Sequence, residues 1–221
     1  MPAPFQEGSK FAVIKADNYP AVCVGYLELG THPRTYKGEV RPPTFWVKLQ
    51  FEIPSVRHGD GSTILLSKKI KNISYGENAI WRQTLDGWLG KGWEATHGGS
   101  DFRFLLGMPA LIDVSIYKGD DNQERNGIET VTKFPSMFGQ VKGERPTLYY
   151  TMDERRIPSD FSTGIADDIR NSFEYQAGGW IDEAPTKQDR IAYTPRTPAP
   201  ALPTRTGAPV DANDPGDGCP F

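Results

Sequence analysis

The strict alternation of residues 45–53 constrains the fold of this chain more than any other feature. Apolar residues occupy every second position, namely Phe45, Val47, Leu49, Phe51 and Ile53. The residues between them are Trp46, Lys48, Gln50 and Glu52. Successive side chains of a β-strand point to opposite faces of a sheet, so the pattern predicts a half-buried strand. We expect the apolar set to face the core, and the other set to place a large ring beside a cation on an exposed face.

Four more segments carry strand signals. They cover residues 21–29, 62–70, 110–117 and 127–134. Gly25 lies inside the first segment and predicts a bend or bulge there. Residues 30–43 are polar and are expected to form a loop between the first two strands. The chain is therefore predicted to be mainly β, with five principal strands.

A helix is predicted between the third and fourth strands, over residues 75–89. Ser74 and Glu77 have the spacing of a capping box, and Gly90 marks the end of the helix. Its Trp81 and Trp88 lie on one face and are expected to pack against the sheet. A second helix, over residues 159–176, would carry Ile165, Ile169 and Phe173 on one face.

The order of three strands, a helix and two strands is that of the OB-fold. This fold is a five-stranded Greek-key barrel, and its characteristic helix lies between strands three and four. A generic β-sandwich fits the composition as well. The expected fold class is an OB barrel with a C-terminal helix and a disordered tail.

Charge is distributed unevenly along the chain. The net charge is −3, which by itself gives no sign of nucleic-acid binding. Residues 1–75 hold ten Lys and Arg against six Asp and Glu, or +4, whereas residues 151–190 hold five against nine, or −4. The two cysteines, Cys23 and Cys219, and three scattered histidines form no disulfide framework or zinc motif. We expect no metal and no cofactor, and no segment has the apolar length of a membrane span.

The end of the chain differs from the rest in composition. Residues 194–209 are mostly Pro, Ala, Thr and Arg, and so few large apolar side chains predict a flexible linker. The chain then ends in an acidic tip with an aromatic residue, formed by Asp211, Asp214, Asp217, Pro220 and Phe221. We therefore divide the chain into a binding domain (1–150), a helical extension packed on it (151–191) and a linker with an acidic tail (192–221).

A series of short motifs carries a resemblance to a known family. In chain order they are PAVC (20–23), LGT (29–31), YKG (36–38), VKLQFEIP (47–54), LSKK (66–69), WLGKGW (88–93) and LLGMPAL (105–111). The ordered series, over about residues 18–135, resembles the bacteriophage single-stranded-DNA-binding proteins with an OB-fold. The tail is similar to those by which bacterial single-stranded-DNA-binding proteins recruit partners, although Cys219 replaces a branched apolar residue and Gly, Pro and Asn separate its acids.

The resemblance implies sequence-independent binding of single-stranded DNA during phage replication, recombination or repair in the host cytoplasm. Such binding needs cations that follow the phosphates and ring faces on which any base can stack. The candidate cations are Arg34, Lys37, Arg41, Lys48, Lys68, Lys69 and Lys71. The candidate ring platforms are Tyr26, Tyr36 and Trp46. The acidic tail would recruit replication or recombination proteins and compete with DNA for the same cations.

Two other functions remain open from sequence. A nuclease or other hydrolase would need clustered carboxylates or histidines for a metal, or a nucleophile set. The acidic pairs at 120–121, 153–154 and 167–168 are chain neighbours, which diverge by about 100° when helical, so we expect no enzyme activity. The second alternative is a protein-interaction or virion structural module on the same barrel, without DNA binding.

Overall fold

The computed structural model describes residues 13–97, 101–136 and 139–186. These residues belong to one compact unit of strands and short helices. Within these ranges, no helix is both long and apolar enough to cross a membrane. The predicted linker and acidic tail, with Cys219, lie outside the described residues.

Five long strands form the sheet, and the protein is mainly β as predicted. They are β1 (Asp17–Tyr36), β2 (Glu39–Arg57), β3 (Thr63–Ile70), β4 (Pro109–Lys118) and β5 (Glu124–Lys133). Neighbouring long strands are antiparallel in the order β3-β2-β1-β4-β5. A sixth strand, β6 (Leu148–Tyr150), pairs in parallel with β1. Helices α1 (Ile80–Leu89) and α2 (Trp93–His97) lie between β3 and β4 in the chain.

The outermost strands β3 and β5 are joined by a side chain. No main-chain ladder connects them among the described residues, so the sheet is not closed by strand pairing. Instead, the Lys68 ammonium on β3 donates hydrogen bonds to the β5 carbonyl oxygens of Ile128 (2.9 Å) and Glu129 (2.7 Å). Burial of this ammonium lowers the pKa of Lys68. Lys68 therefore links the edges of β3 and β5 where no backbone hydrogen bonds between described residues connect them.

Short elements make up the rest of the described chain. After β6 come β7 (Arg156–Ile157), α3 (Thr163–Arg170), α4 (Phe173–Gln176) and β8 (Ile181–Asp182). Strands β7 and β8 pair in parallel as a separate small sheet. Two 3-10 turns, Phe102–Leu105 and Met152–Glu154, precede β4 and β7 respectively.

The central part of β1, residues 21–30, is buried on both of its faces, which divides the core into two clusters. On one face, the predicted apolar set of β2 packs with α1, where the Phe51 and Trp88 rings meet edge to face at 5.4 Å. On the other face, Leu27 and Leu29 pack against the C-terminal segment through Tyr150 and residues of α3. A central strand covered on both faces reads as a continuous apolar run, as residues 21–27 do.

Several predicted elements are confirmed in position. The alternating residues of β2 divide between two faces as expected, and Val47, Leu49, Phe51 and Ile53 are all fully buried. The register of β1 on β2 shifts between Cys23 and Gly25, which is the predicted bulge. Trp81 and Trp88 are buried on α1, and the helix ends at Gly90 with a φ of 94°.

Three expectations about elements are wrong. Residues 30–43 are not a loop, because β1 and β2 continue through them to a two-residue turn. Helix α1 begins at Ile80, after an Ala79 cap, and the Ser74 capping box does not form. The predicted helix at 159–176 is broken at Ser172, whose hydroxyl caps the separate helix α4. Phe173, the first residue of α4, is 44% exposed and does not continue the apolar face of Ile165 and Ile169.

Candidate nucleic-acid interface

The ends of β1 and β2 form an exposed hairpin, here called the hairpin arm (residues 33–43). Its turn lies at Lys37 (φ 51°) and Gly38 (φ 81°). Positive φ at both central residues is the geometry of a type I′ turn, whose twist matches that of paired strands. A Cβ at position 38 would meet no atom within 4 Å, so Gly38 is needed for its backbone conformation rather than for space.

The hairpin arm brings four of the predicted DNA-binding residues together. The Tyr36 ring is 53% exposed. Lys37 Nζ lies 5.5 Å and Arg41 Cζ 6.0 Å from its centroid, both within cation–π range. Arg34 is exposed on β1 of the same arm, directly opposite Arg41 in the register of the two strands. Arg41 also pairs with Glu39 of the arm at 2.6 Å, so the arm carries an exposed ring with two cations over it, one of which already has a carboxylate partner.

Trp46 lies on β2 near the base of the hairpin arm and is held in one orientation. The buried His32 ring stacks on the indole at 3.9 Å, and the indole N–H donates to Thr44 Oγ1 at 3.2 Å. Lys69 Nζ, on β3, and Lys71 Nζ, just after β3, lie over the Trp46 ring at 5.1 and 5.2 Å from its centroid. A ring with cations at hand is what single-strand binding needs, but His32 already covers one face of Trp46, so a base would stack here by displacing the ammonium groups from the ring.

Lys48 lies on the same face of β2 as Trp46, but helix α3 covers it. Asp168 of α3 lies 3.9 Å from Lys48 Nζ and accepts two hydrogen bonds from Lys69 Nζ, at 2.9 and 2.8 Å. The Lys48 side chain is only 14% exposed. Burial lowers the pKa of Lys48, and the attraction of Asp168 opposes that shift. The expectation that Lys48 stands on an open face is wrong, because α3 packs over this part of the strand.

Two other predicted site residues face elsewhere. Tyr26 is 2% exposed, and its ring lies between Phe102 (5.3 Å) and Tyr149 (5.2 Å) in the core, so the prediction of a free ring face there is wrong. Burial, with the nearby Glu28 charge, raises the pKa of Tyr26. Lys68 donates hydrogen bonds to the β5 carbonyl oxygens and does not stand free, so we expect it to stabilise the fold; its predicted contact with DNA stays a prediction.

The far end of the outer β2 face is covered as well. Glu52 is fully buried, accepting from the Thr63 hydroxyl at 2.6 Å and from the backbone N–H groups of Glu144 (2.9 Å) and Arg145 (3.1 Å). A Cβ on Gly143 would come within 2.8 Å of the Glu52 carboxylate, so this segment lies directly on the strand. Within the described part of the chain, residues 143–145 therefore close this face at Glu52, and α3 closes it at Lys48.

Sequence reasoning missed the two residues that shape the Trp46 end of the face. His32 fixes one side of the Trp46 ring, and no local pattern pointed to that contact. Asp168 had a weak signal, because it follows Ile165 by three residues and precedes Ile169, both of which pack in the second core. An acid on the border of the apolar stripe of a helix lies close to whatever that stripe covers.

No protein-family model, no curated protein and no solved structure matches the chain. In the described part of the chain, no group of three or more His, Cys, Asp or Glu side chains is arranged to hold a metal ion. The tail residues Asp211, Asp214, Asp217, Pro220 and Phe221 lie outside the described residues, and their role stays a prediction.

Proposed function

We propose that this chain is a sequence-independent single-stranded-DNA-binding protein built on an OB-fold. The strand order β3-β2-β1-β4-β5 and the position of α1 between β3 and β4 support that fold assignment. In a closed OB barrel the two outer strands meet each other, and here Lys68 spans that gap.

The observation that carries the proposal is the repeated pairing of a ring with two cations along one end of the β1–β2 pair. Tyr36 with Lys37 and Arg41 forms one such group, and Trp46 with Lys69 and Lys71 forms the other. Arg41 and Trp46 are five residues apart on β2, or roughly 17 Å along the strand. Stacking on such rings tolerates any base, because every base has a π-face.

The phosphates of a bound strand would be neutralised by the exposed cations of this surface. They are Arg34, Lys37, Arg41, Lys69 and Lys71. Release of condensed counterions then makes the binding constant fall with salt, by about 0.7 in log–log slope for each neutralised phosphate. A base needs only an unpaired strand to reach the rings, which favours single-stranded over duplex DNA.

The acidic tail has a second role in this proposal. It recruits replication, recombination or repair proteins, and it competes with DNA for the same cations when no strand is bound. Deletion of residues 211–221 is expected to tighten DNA binding at low salt. Unchanged or weaker binding by the truncated chain would contradict competition by the tail, without bearing on DNA binding by the folded unit.

Titration with oligo-dT tests the proposed function. We expect intrinsic tryptophan fluorescence to be quenched on binding, and the affinity to fall as salt is raised. The Lys69→Ala, Lys71→Ala double variant should bind more weakly and with a shallower salt slope. Lys118→Ala, Lys133→Ala is the matched control, because both lysines are exposed on β4 and β5 and neither belongs to the proposed set of cations.

The outcomes separate the proposal from its main alternative. Equal weakening in both double variants would mean that only net charge matters. Absence of any binding by the wild-type chain, in fluorescence and in anisotropy of a labelled oligonucleotide, would contradict the proposal. That result would favour a protein-interaction or virion structural module on the same fold.

A further inference from the structure

The proposed surface is already occupied by a carboxylate from the same chain. Asp168 lies between two lysine ammonium groups, with its Oδ2 atom 2.8 Å from Lys69 Nζ and 3.9 Å from Lys48 Nζ. Lys69 is also one of the two cations beside the Trp46 ring. An anion therefore already stands at Lys69, one of the cations to which the proposed function assigns a DNA phosphate.

Helix α3 holds Asp168 in this position firmly. Ile165, Ala166 and Ile169 are buried in the second core against β1, and the Ser162 hydroxyl accepts a hydrogen bond from the Ile165 N–H at the start of the helix. These anchors fix the backbone of Asp168 over the sheet, so its carboxylate can leave the lysines only by rotation of the side chain, with α3 still docked. The Asp168 side chain is 19% exposed, so water screens its two ion pairs only in part.

The chemistry of the pair of lysines suits a phosphate. Two ammonium groups that share one carboxylate can share the oxygens of one phosphodiester in the same way, since both anions accept charge-assisted hydrogen bonds. Lys69 Nζ lies 5.1 Å from the centroid of the Trp46 ring, so a base stacked on that ring would bring its phosphate close to Lys69.

We propose that Asp168 stands in for a DNA phosphate, and that single-stranded DNA binds beside Trp46 by exchanging this carboxylate for a backbone phosphate. The inference rests on the proposed function and identifies its first phosphate subsite as Lys48 with Lys69. Asp168 is fixed in the folded unit, so it is distinct from the acidic tail and acts in a chain that lacks the tail. It lowers affinity for DNA and keeps the two lysines paired when no strand is bound.

Removal of this carboxylate should strengthen DNA binding. Asp168→Asn frees both lysines for phosphate, and we expect about fivefold tighter binding of oligo-dT at low salt, the order expected for two partly exposed ion pairs. The log–log salt slope should become steeper by about 0.7 for each phosphate gained. Lys48→Met in the Asp168→Asn background should reverse part of the gain.

Asp160→Asn is the matched control. Asp160 lies on the same C-terminal segment and is exposed, and its substitution changes the net charge by the same amount. It should leave affinity and salt slope nearly unchanged. Anisotropy of a labelled oligo-dT measures binding, and thermal unfolding of each variant verifies that α3 remains docked.

The possible results distinguish the inference from the function on which it rests. Tighter binding by Asp168→Asn alone supports exchange. If the wild-type chain binds oligo-dT and Asp168→Asn binds equally or more weakly, the exchange is refuted and Asp168 instead positions the lysines. Equal tightening by both variants would reduce the effect to net charge and would also refute exchange. Failure of every variant to bind would overturn the proposed function itself, and the exchange with it.

Discussion

Replacement of Lys68 by methionine tests whether this lysine stabilises the fold. Lys68 was predicted to contact DNA, but in the structure its ammonium group binds β5. The substitution removes two hydrogen bonds from an ammonium group to the carbonyl oxygens of Ile128 and Glu129. Hydrogen bonds to charged groups contribute roughly 1.5–3 kcal/mol each. Lys68 is only half-buried, so water can replace part of this interaction, and methionine retains the apolar stem. We therefore expect Lys68→Met to lower the free energy of unfolding by about 2 kcal/mol.

Urea denaturation and thermal unfolding measure this loss. For a unit of this size, about 2 kcal/mol corresponds to a fall in Tm of roughly 4–8 °C. The matched control is Lys133→Met, at an exposed lysine on β5, which should change the free energy of unfolding by less than about 0.5 kcal/mol. DNA affinity should be unchanged in both variants. A stable Lys68→Met variant with weakened DNA binding would refute the reasoning, because it would place this ammonium on the DNA rather than on β5.

Three further predictions concern the core, the thiol and the hairpin arm. Glu52→Ala leaves the Thr63 hydroxyl and two backbone N–H groups without their acceptor, and should lower the free energy of unfolding by about 3 kcal/mol. Urea denaturation measures this loss, and a value below about 1 kcal/mol would contradict the hydrogen-bond network around Glu52. Burial raises the pKa of Cys23 to about 12, so a thiol reagent at pH 8 should label this residue only when the chain unfolds. The test uses a Cys219→Ser background, and rapid labelling of the native chain would contradict the burial of Cys23. Tyr36→Ala should weaken oligo-dT binding by about 1–3 kcal/mol in anisotropy titrations, whereas Tyr117→Ala, at a ring of similar exposure on β4, should bind like the wild type; equal effects would argue against stacking on the arm.

The sequence predicted the strands wherever one face of the strand is buried. Alternation is visible at 45–53 because every second residue enters the core. It fails at 33–43, where both faces are exposed and the two strands are held by their backbone ladder and by the turn at Lys37 and Gly38. A polar hairpin and a polar loop have the same composition, so no apolar pattern separates them.

The sequence predicted which residue types lie on the candidate site, but not which other segments of the chain cover them. Alternation identifies which side chains share a face of β2, but it does not reveal what lies on that face. The cover over Lys48 comes from Asp168, which is far away in the chain and reaches the strand only through the packing of α3 on β1. Tyr26 was misplaced for the same reason, since both faces of this part of β1 are covered and the local pattern does not reveal the Phe102 and Tyr149 rings that pack on it.

Photocrosslinking tests most directly whether single-stranded DNA lies along the hairpin arm and the Trp46 end of β2. An oligonucleotide carrying 5-iododeoxyuridine is bound, irradiated and digested, and the crosslinked peptides are identified by mass spectrometry. The proposed interface predicts crosslinks at Trp46 and Tyr36, and their loss at high salt. Crosslinks confined to other exposed rings, such as Tyr75 or Tyr117, would contradict the assignment of this surface.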